Sequence, residues 1–515
     1  MCTICVAIRQ YFLRQFFILS FTPAYFSSIS NPAQTISHGQ PSTIGLVDSF
    51  IHRVLLLALG IIMFLFDSYV VYLMVFSPLL AAIFITLIPT PDINSKRSIS
   101  RFFALIGFIA FIRVFILFLN KNLLEQYAIS FNLIQFYVNF SINIDKYNIF
   151  LFGISSVALL ANMLLYELND TKSNIHQVAP FVLTFILFIT FGQRDLRVAL
   201  PIISIANFII YYLIGYSNKI RRGSTIFHMG TFLFTFDTLA LILLQYQTES
   251  HDFLKLIILI PGFARLTLPV FAPFMKNLFL NLDESEGPFI ITFLQLTGFF
   301  ILVLFRAEFS ALSEFILDAS QVIIFISALY IAFLALSEHR TLITPYYFLV
   351  LYASLTACLI FLDKFYSLWY LSYSLLMSNI ICFLHNIKTS LMINQYQHIN
   401  SLQNRVRATW FLSLCLIAGV PGFGIGAALW QIIYNIINYK LMNITLGLCF
   451  IAVWLLLEYA LIISMRKENF TRDEANVTIV DYRVPITKTF VIAPFFVALI
   501  TFLIPIITYY TYKRV

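Results

Sequence analysis

The sequence predicts an all-α fold: a polytopic membrane helical bundle of about 14–16 transmembrane helices, some of them broken. Three observations predict it. Of 515 residues, 60% are hydrophobic and 11% charged, and the mean hydropathy is +0.89. Apolar runs of about 18 residues or more, enough to cross a hydrocarbon layer of roughly 30 Å, recur from one end to the other. The short alternating segments of a transmembrane barrel are missing.

Charge and cysteine content narrow the function. The net charge is +8, from 32 basic and 24 acidic residues. Most basic residues stand in short stretches beside apolar runs, which reads as topology and contact with anionic lipid, cardiolipin among the candidates, and excludes nucleic acid as the partner. Of the six cysteines, only Cys2 and Cys5 form a CxxC pair, at the extreme N-terminus, too isolated to mark a metal site. No nucleotide loop, haem motif or metal cluster is present, so no cofactor, no metal and no catalytic residue is expected in this chain.

Residues 1–68 read as an N-terminal extension with one or two transmembrane or interfacial helices, and 69–510 as the main membrane domain. The apolar stretch 51–88 is too long for one span and divides near Asp67. A basic loop at 91–101 precedes a span at 102–119, and an amphipathic, extramembrane segment covers 120–145. Spans follow at 147–166, 178–191 and 198–216, the last two separated by the charged turn Arg194, Asp195 and Arg197. The next span, 226–245, carries His228 and Asp237. After a broken stretch at 254–306 come spans at 322–336, 346–362 and 368–384. A polar loop occupies 385–407. A glycine-rich break interrupts the span at 410–433. A span at 442–463 holds Glu458, a polar segment fills 466–488, and 491–509 closes the series.

The stretch 254–306 is the best candidate for a site. It is apolar apart from Lys255 at its mouth and Arg265 in its middle, with Pro261, Pro269 and Pro273 breaking it. A charge within a span is costly and normally faces a protein interior or wet cavity with a partner. Prolines free carbonyls that must be satisfied there. Asp237, deep in the preceding span, is the partner expected for Arg265. The second break is marked by Gly419, Pro421, Gly422, Gly424 and Gly426, too dense a cluster for a close helix contact alone. Arg340, with Glu338 and His339, closes a span as an interfacial cluster or joins a proton path. His228, near the start of its span, either titrates near neutral pH or makes an interfacial hydrogen bond. Glu458 is a candidate contact to a lateral neighbour subunit.

The succession Val75-Phe-Ser-Pro-Leu-Leu-Ala-Ala, Asn139-Phe-Ser-Ile-Asn-Ile-Asp-Lys-Tyr, Tyr212-Leu-Ile-Gly-Tyr, Gly262-Phe-Ala-Arg-Leu-Thr-Leu-Pro and Ala418-Gly-Val-Pro-Gly-Phe resembles the antiporter-like proton-channel superfamily. That superfamily includes the antiporter-like subunits of respiratory complex I, the Mrp antiporter large subunits and the membrane subunit of inorganic-carbon uptake complexes. The resemblance covers roughly 75–510. It implies two inverted repeats, broken helices at 262–273 and 419–426, and partners among the other membrane subunits of a large complex.

The resemblance also implies a loss. Where pumping members carry a fifth-helix glutamate, this chain has Ser204. Arg265 replaces the seventh-helix lysine, Tyr373 and Met377 stand where a histidine and a lysine are usual, and Gly426 to Leu429 lack the expected charge. Relay chemistry needs groups whose proton affinity moves to near neutral, and arginine side chains keep their proton. The expected function is therefore a divergent antiporter-like subunit of complex I, NADH:ubiquinone oxidoreductase, in proton translocation or as a degenerate structural subunit. The alternatives are the membrane subunit of a carbon-uptake complex and a stand-alone secondary transporter. The phenylalanine-rich composition (56 residues) favours a mitochondrial inner membrane over a bacterial one.

Overall fold

The structure is a computed structural model. It describes residues 67–87, 93–119, 129–132, 139–145, 148–165, 174–217, 223–245, 252–266, 287–308, 313–337, 344–361, scattered positions within 376–384, and 410–419, 424–437 and 441–471. Contacts divide the chain into two units, Met1–Val70 and Val71–Val515, and nearly everything described belongs to the second. The extension 1–66, the loop at 385–407 and the span at 491–509 lie outside the described residues.

The described chain is a polytopic helical bundle. In order it runs α1 (Asp67–Leu87), α2 (Ile93–Leu119), β1 (Ile129–Asn132), β2 (Asn139–Ile142), α3 (Ile149–Leu165), α4 (Asn174–Phe191), α5 (Leu196–Ser217) and α6 (Gly223–Gln245). There follow α7 (Asp252–Arg265), α8 (Gly287–Glu308), α9 (Glu314–Ser337) and α10 (Thr344–Phe361). A short helix α11 covers 410–418, and α12 (Gly424–Ile437) and α13 (Leu441–Thr471) close the described series. Five of these helices are long and apolar enough to cross a membrane: Tyr69–Leu87, Lys96–Leu119, Pro288–Arg306, Phe315–Ser337 and Thr344–Phe361. The protein is an integral membrane protein.

Two helices form the inside of the bundle. The apolar windows of α8 and α10 are 100% buried, and α8 packs against α3, α4, α5, α7 and α10. Both read as apolar on every side, the pattern of a helix walled in by others. The outer helices instead show an exposed apolar stripe, as on α9, where Phe315, Val322, Ile326, Tyr330 and Phe333 are exposed. In hydrocarbon such a stripe costs nothing, because lipid tails are as apolar as the side chains.

Three local features depart from the sequence reading. The basic stretch at 96–101 is not a loop but the first turns of α2, whose 27 residues rise about 40 Å, past a hydrocarbon layer of roughly 30 Å. Lys96 is buried there. The segment 120–145 contains an antiparallel hairpin, Ile129 pairing with Ile142 and Asn132 with Asn139. Its exit is tied to the end of α4: the Asn143 amide donates to the Gly192 carbonyl at 3.0 Å, and the Asn148 side chain donates to the Phe191 carbonyl at 2.9 Å. Finally, α13 continues to Thr471 through Arg466 and Lys467, so the polar segment starts later than its charge suggests.

Candidate functional site

The four helices α5, α6, α7 and α8 touch in the sequence α5–α6–α7–α8–α5 and so enclose a common interior. Each contributes polar residues. Ser204 and Asn207 lie one turn apart on α5, Asp237 lies on α6, Arg265 ends α7, and Gln295 lies on α8, one turn before Gly298. The five polar side chains are buried.

Arg265 and Asp237 meet in a two-pronged pair. Arg265 Nη1 donates to Asp237 Oδ1 at 2.7 Å, and Nη2 donates to Oδ2 at 2.6 Å. Side-chain exposure is 0% for the arginine and 1% for the aspartate, so bulk solvent does not screen the attraction. A third bond from Nη1 reaches the Pro261 carbonyl at 3.0 Å. Ser204 Oγ donates to Asp237 Oδ2 at 2.7 Å, and Asn207 Nδ2 approaches the same oxygen at 3.5 Å. The carboxylate is thus held by charge and by hydroxyl and amide donors together, the condition under which a buried ion pair is tolerated.

Glycines bring the backbones close enough for this. A Cβ on Gly298 would stand 2.8 Å from Arg265 Cβ, 2.8 Å from the Gly262 carbonyl oxygen and 2.9 Å from the Leu266 amide nitrogen. A Cβ on Gly262 would meet Leu302 at 2.8 Å. Small residues at a helix crossing permit this approach. Around the pair, Arg265 Nε, Asn207 Oδ1 and both amide atoms of Gln295 are buried without a partner among the described residues. Groups of that kind are what a buried water ordinarily bridges.

Pro261, expected to break the helix, lies within α7. The described helix runs on to Arg265, whose side chain also bonds the Pro261 carbonyl, and the Leu266 amide still donates to the Gly262 carbonyl at 3.0 Å. Pro269 and Arg340 lie outside the described residues.

At the second break, α11 ends on Gly419, whose φ is +74°, a conformation that favours glycine. Its amide donates to the Leu416 carbonyl at 3.2 Å. The two preceding carbonyls are capped by neutral donors. Tyr352 Oη donates to Ile417 O at 2.7 Å, and Trp454 Nε1 donates to Ala418 O at 2.7 Å. The helix restarts at Gly424, while Pro421 and Gly422 lie outside the described residues.

The remaining candidates lie apart from the pair in the chain's architecture. His228 is in the first turns of α6. Glu458 is on α13, which packs against α9, α10 and α12; it is half-buried, with its Oε1 atom buried and lacking a partner among the described residues. Sequence reasoning did not single out Gln295, Gly298, Tyr352 or Trp454. A glutamine within the apolar run of α8 was the one available signal. The aromatic caps carry none, since tyrosine and tryptophan are common in spans.

No family model matches the chain, and no curated protein matches it. Solved structures do match in fold. A chain of the respiratory complex I from Thermus thermophilus with bound NADH is 12% identical, at a TM-score of 0.67, covering 86% of this chain and 99% of that one. A chain of the membrane-bound sulfane sulfur reductase, an archaeal respiratory membrane complex, is 11% identical at 0.64, covering 86% and 96%. A chain of the Mrp complex from Dietzia sp. DQ12-45-1b is 10% identical at 0.60, covering 78% and 80%. This protein shares their fold.

Proposed function

We propose that the chain is an antiporter-like membrane subunit of a larger energy-coupling assembly, and specifically a subunit of respiratory complex I in a mitochondrial inner membrane. The fold likeness to a complex I chain over 99% of that chain's length supports the class, and the phenylalanine-rich composition with the depleted polar axis supports the choice within it. Electron transfer then belongs to partner subunits.

Within that assembly the chain acts as a structural subunit. The observation that carries this is the two-pronged Arg265–Asp237 pair, buried on both sides at the end of α7. A relay member must gain and lose a proton, and arginine side chains keep theirs. A bidentate guanidinium also fixes its carboxylate in one geometry. The pair holds α6 to α7, and Ser204 ties α5 to the same carboxylate. A second reading, proton translocation by a reduced set of groups, is favoured by the unpartnered Asn207 Oδ1 and Gln295 amide beside the pair, which could support a hydrated route.

Gentle detergent extraction, native-gel separation and mass spectrometry test the assignment. Flavin and iron–sulfur subunits in the same band are the expected result. Migration alone, or with only a soluble zinc protein, sinks it in favour of a transporter or a carbon-uptake subunit.

A further inference from the structure

Three of the four helices around the buried pair are joined to it directly. Ser204 on α5, Asp237 on α6 and Arg265 on α7 form one bonded set. The fourth helix, α8, presents Gln295, which is fully buried and whose amide has no partner among the described residues. Gln295 nevertheless faces the right way. Gln295, Gly298 and Leu302 follow at spacings of three and four, so they share one face of α8. Gly298 and Leu302 are the residues of that face that pack on Arg265 and Gly262 of α7.

The unpaired atoms form a matched set. Arg265 meets the carboxylate through its two Nη groups, which leaves its Nε–H outside the pair. Asn207 turns its amide nitrogen to Asp237, which leaves Oδ1 as an acceptor directed elsewhere. With the Gln295 amide this makes two donor groups and two acceptors, all buried and unpartnered among the described residues. Buried polar groups left dry are costly. The ligand that fits them is neutral, because Asp237 already balances Arg265: the guanidinium repels a further cation, and the carboxylate repels an anion. It is also small, and it both donates and accepts. Water has these properties, and a buried water makes about three such bonds.

The interior is closed along the bundle. One turn to either side of Asn207, Asp237 and Gln295, on the same helix faces, stand Ile203 and Ile210, Leu233 and Ala240, and Ile291 and Phe299. All six are buried. Apolar layers of this kind interrupt a file of water by dewetting.

We propose that resident water bridges Gln295 and Asn207 to Arg265 Nε, in a closed structural site that ties α8 to the ion pair and conducts nothing. The proposal rests on the structural reading of the pair, and not on which assembly holds the chain.

Electron cryo-microscopy of the complex extracted with the full chain, at a resolution that shows ordered water, tests it. The expected result is discrete water density within hydrogen-bonding distance of Arg265 Nε and the Gln295 amide, ending at the apolar layers. A Gln295 amide bonded directly to Arg265, to Asn207 or to another segment of this chain, with no water density, overturns the site and leaves the structural role of the pair intact. A continuous file of water running past Ile291 or Phe299 to a membrane face overturns the closed site and the structural reading together. Gln295→Met adds a readout whose sign differs between a wet and a dry interior. In a wet site it strips the water of its partners and leaves Arg265 Nε unsatisfied, so the unfolding temperature of the complex falls and the density disappears. In a dry one it removes two unsatisfied buried atoms. An unchanged or raised unfolding temperature therefore overturns the proposal.

Discussion

The two helix ends place polar groups in different ways. Hydrocarbon satisfies no polar group left inside a bundle. At the end of α7 the group is a charge: Arg265 adds a side-chain bond to the Pro261 carbonyl and is itself neutralised by Asp237. After α11 the groups are neutral: the Tyr352 hydroxyl and the Trp454 indole cap Ile417 and Ala418. The charged solution joins α7 to α6 electrostatically and tolerates no loss of one member. The neutral solution joins α11 to α10 and α13 through single hydrogen bonds. Among the described residues, the ion pair of the buried interior belongs to the first break alone.

Breaking that contrast should therefore cost unequal amounts. Arg265→Leu or Asp237→Leu leaves an uncompensated buried charge, expected to cost about 3–5 kcal/mol and to remove most of the assembled chain from membranes, read as its amount on a native gel. At the second break, Gly419→Ala forces a side chain into a left-handed backbone and against Tyr352 Oη, which a Cβ would meet at 2.8 Å. The strain is about 1–3 kcal/mol, read as a lowered unfolding temperature in detergent. Tyr352→Phe leaves one buried carbonyl unpaired at about 1–3 kcal/mol, with the chain still assembled. Ser204→Ala removes one of several donors to Asp237 and is expected to cost least, about 1 kcal/mol. Were Tyr352→Phe to prove as damaging as Arg265→Leu, the two breaks would not differ in kind.

Much of this was readable before any coordinates. Hydropathy alone gives the spans and their number class, because a hydrocarbon solvent leaves a chain few options other than continuous apolar helices. Arg265 and Asp237 stood out as charges in apolar runs, and cost gives such residues a reason to meet. The glycines and proline of the second break announced an interrupted helix. What escaped was whatever depends on a distant partner. Ser204 reads as a small polar residue in a span, and only the meeting of α5 with α6 turns it into a donor to Asp237. Gly298 reads as one glycine in a phenylalanine-rich helix, until α7 arrives against it. Tyr352 and Ile417 are 65 residues apart, beyond any local pattern. The hairpin at 129–142 was hidden by an amphipathic composition that suits a short strand pair as well as a surface helix. Lys96 reads as loop because charge commonly marks the end of a span, whereas here the helix runs on through it with the side chain buried.

The second and finer question is whether the first break holds the fold or moves protons, and one double substitution separates the two. Asp237→Leu together with Arg265→Leu removes the pair without leaving a lone charge, and swaps of this kind are often neutral or stabilising. The measurement is proton pumping per assembled complex, in native membrane vesicles carrying the double variant. A structural role predicts recovery of assembled chain well above either single variant, with pumping per complex unchanged. Recovery of the assembly with pumping abolished would contradict it and make the pair part of a proton path.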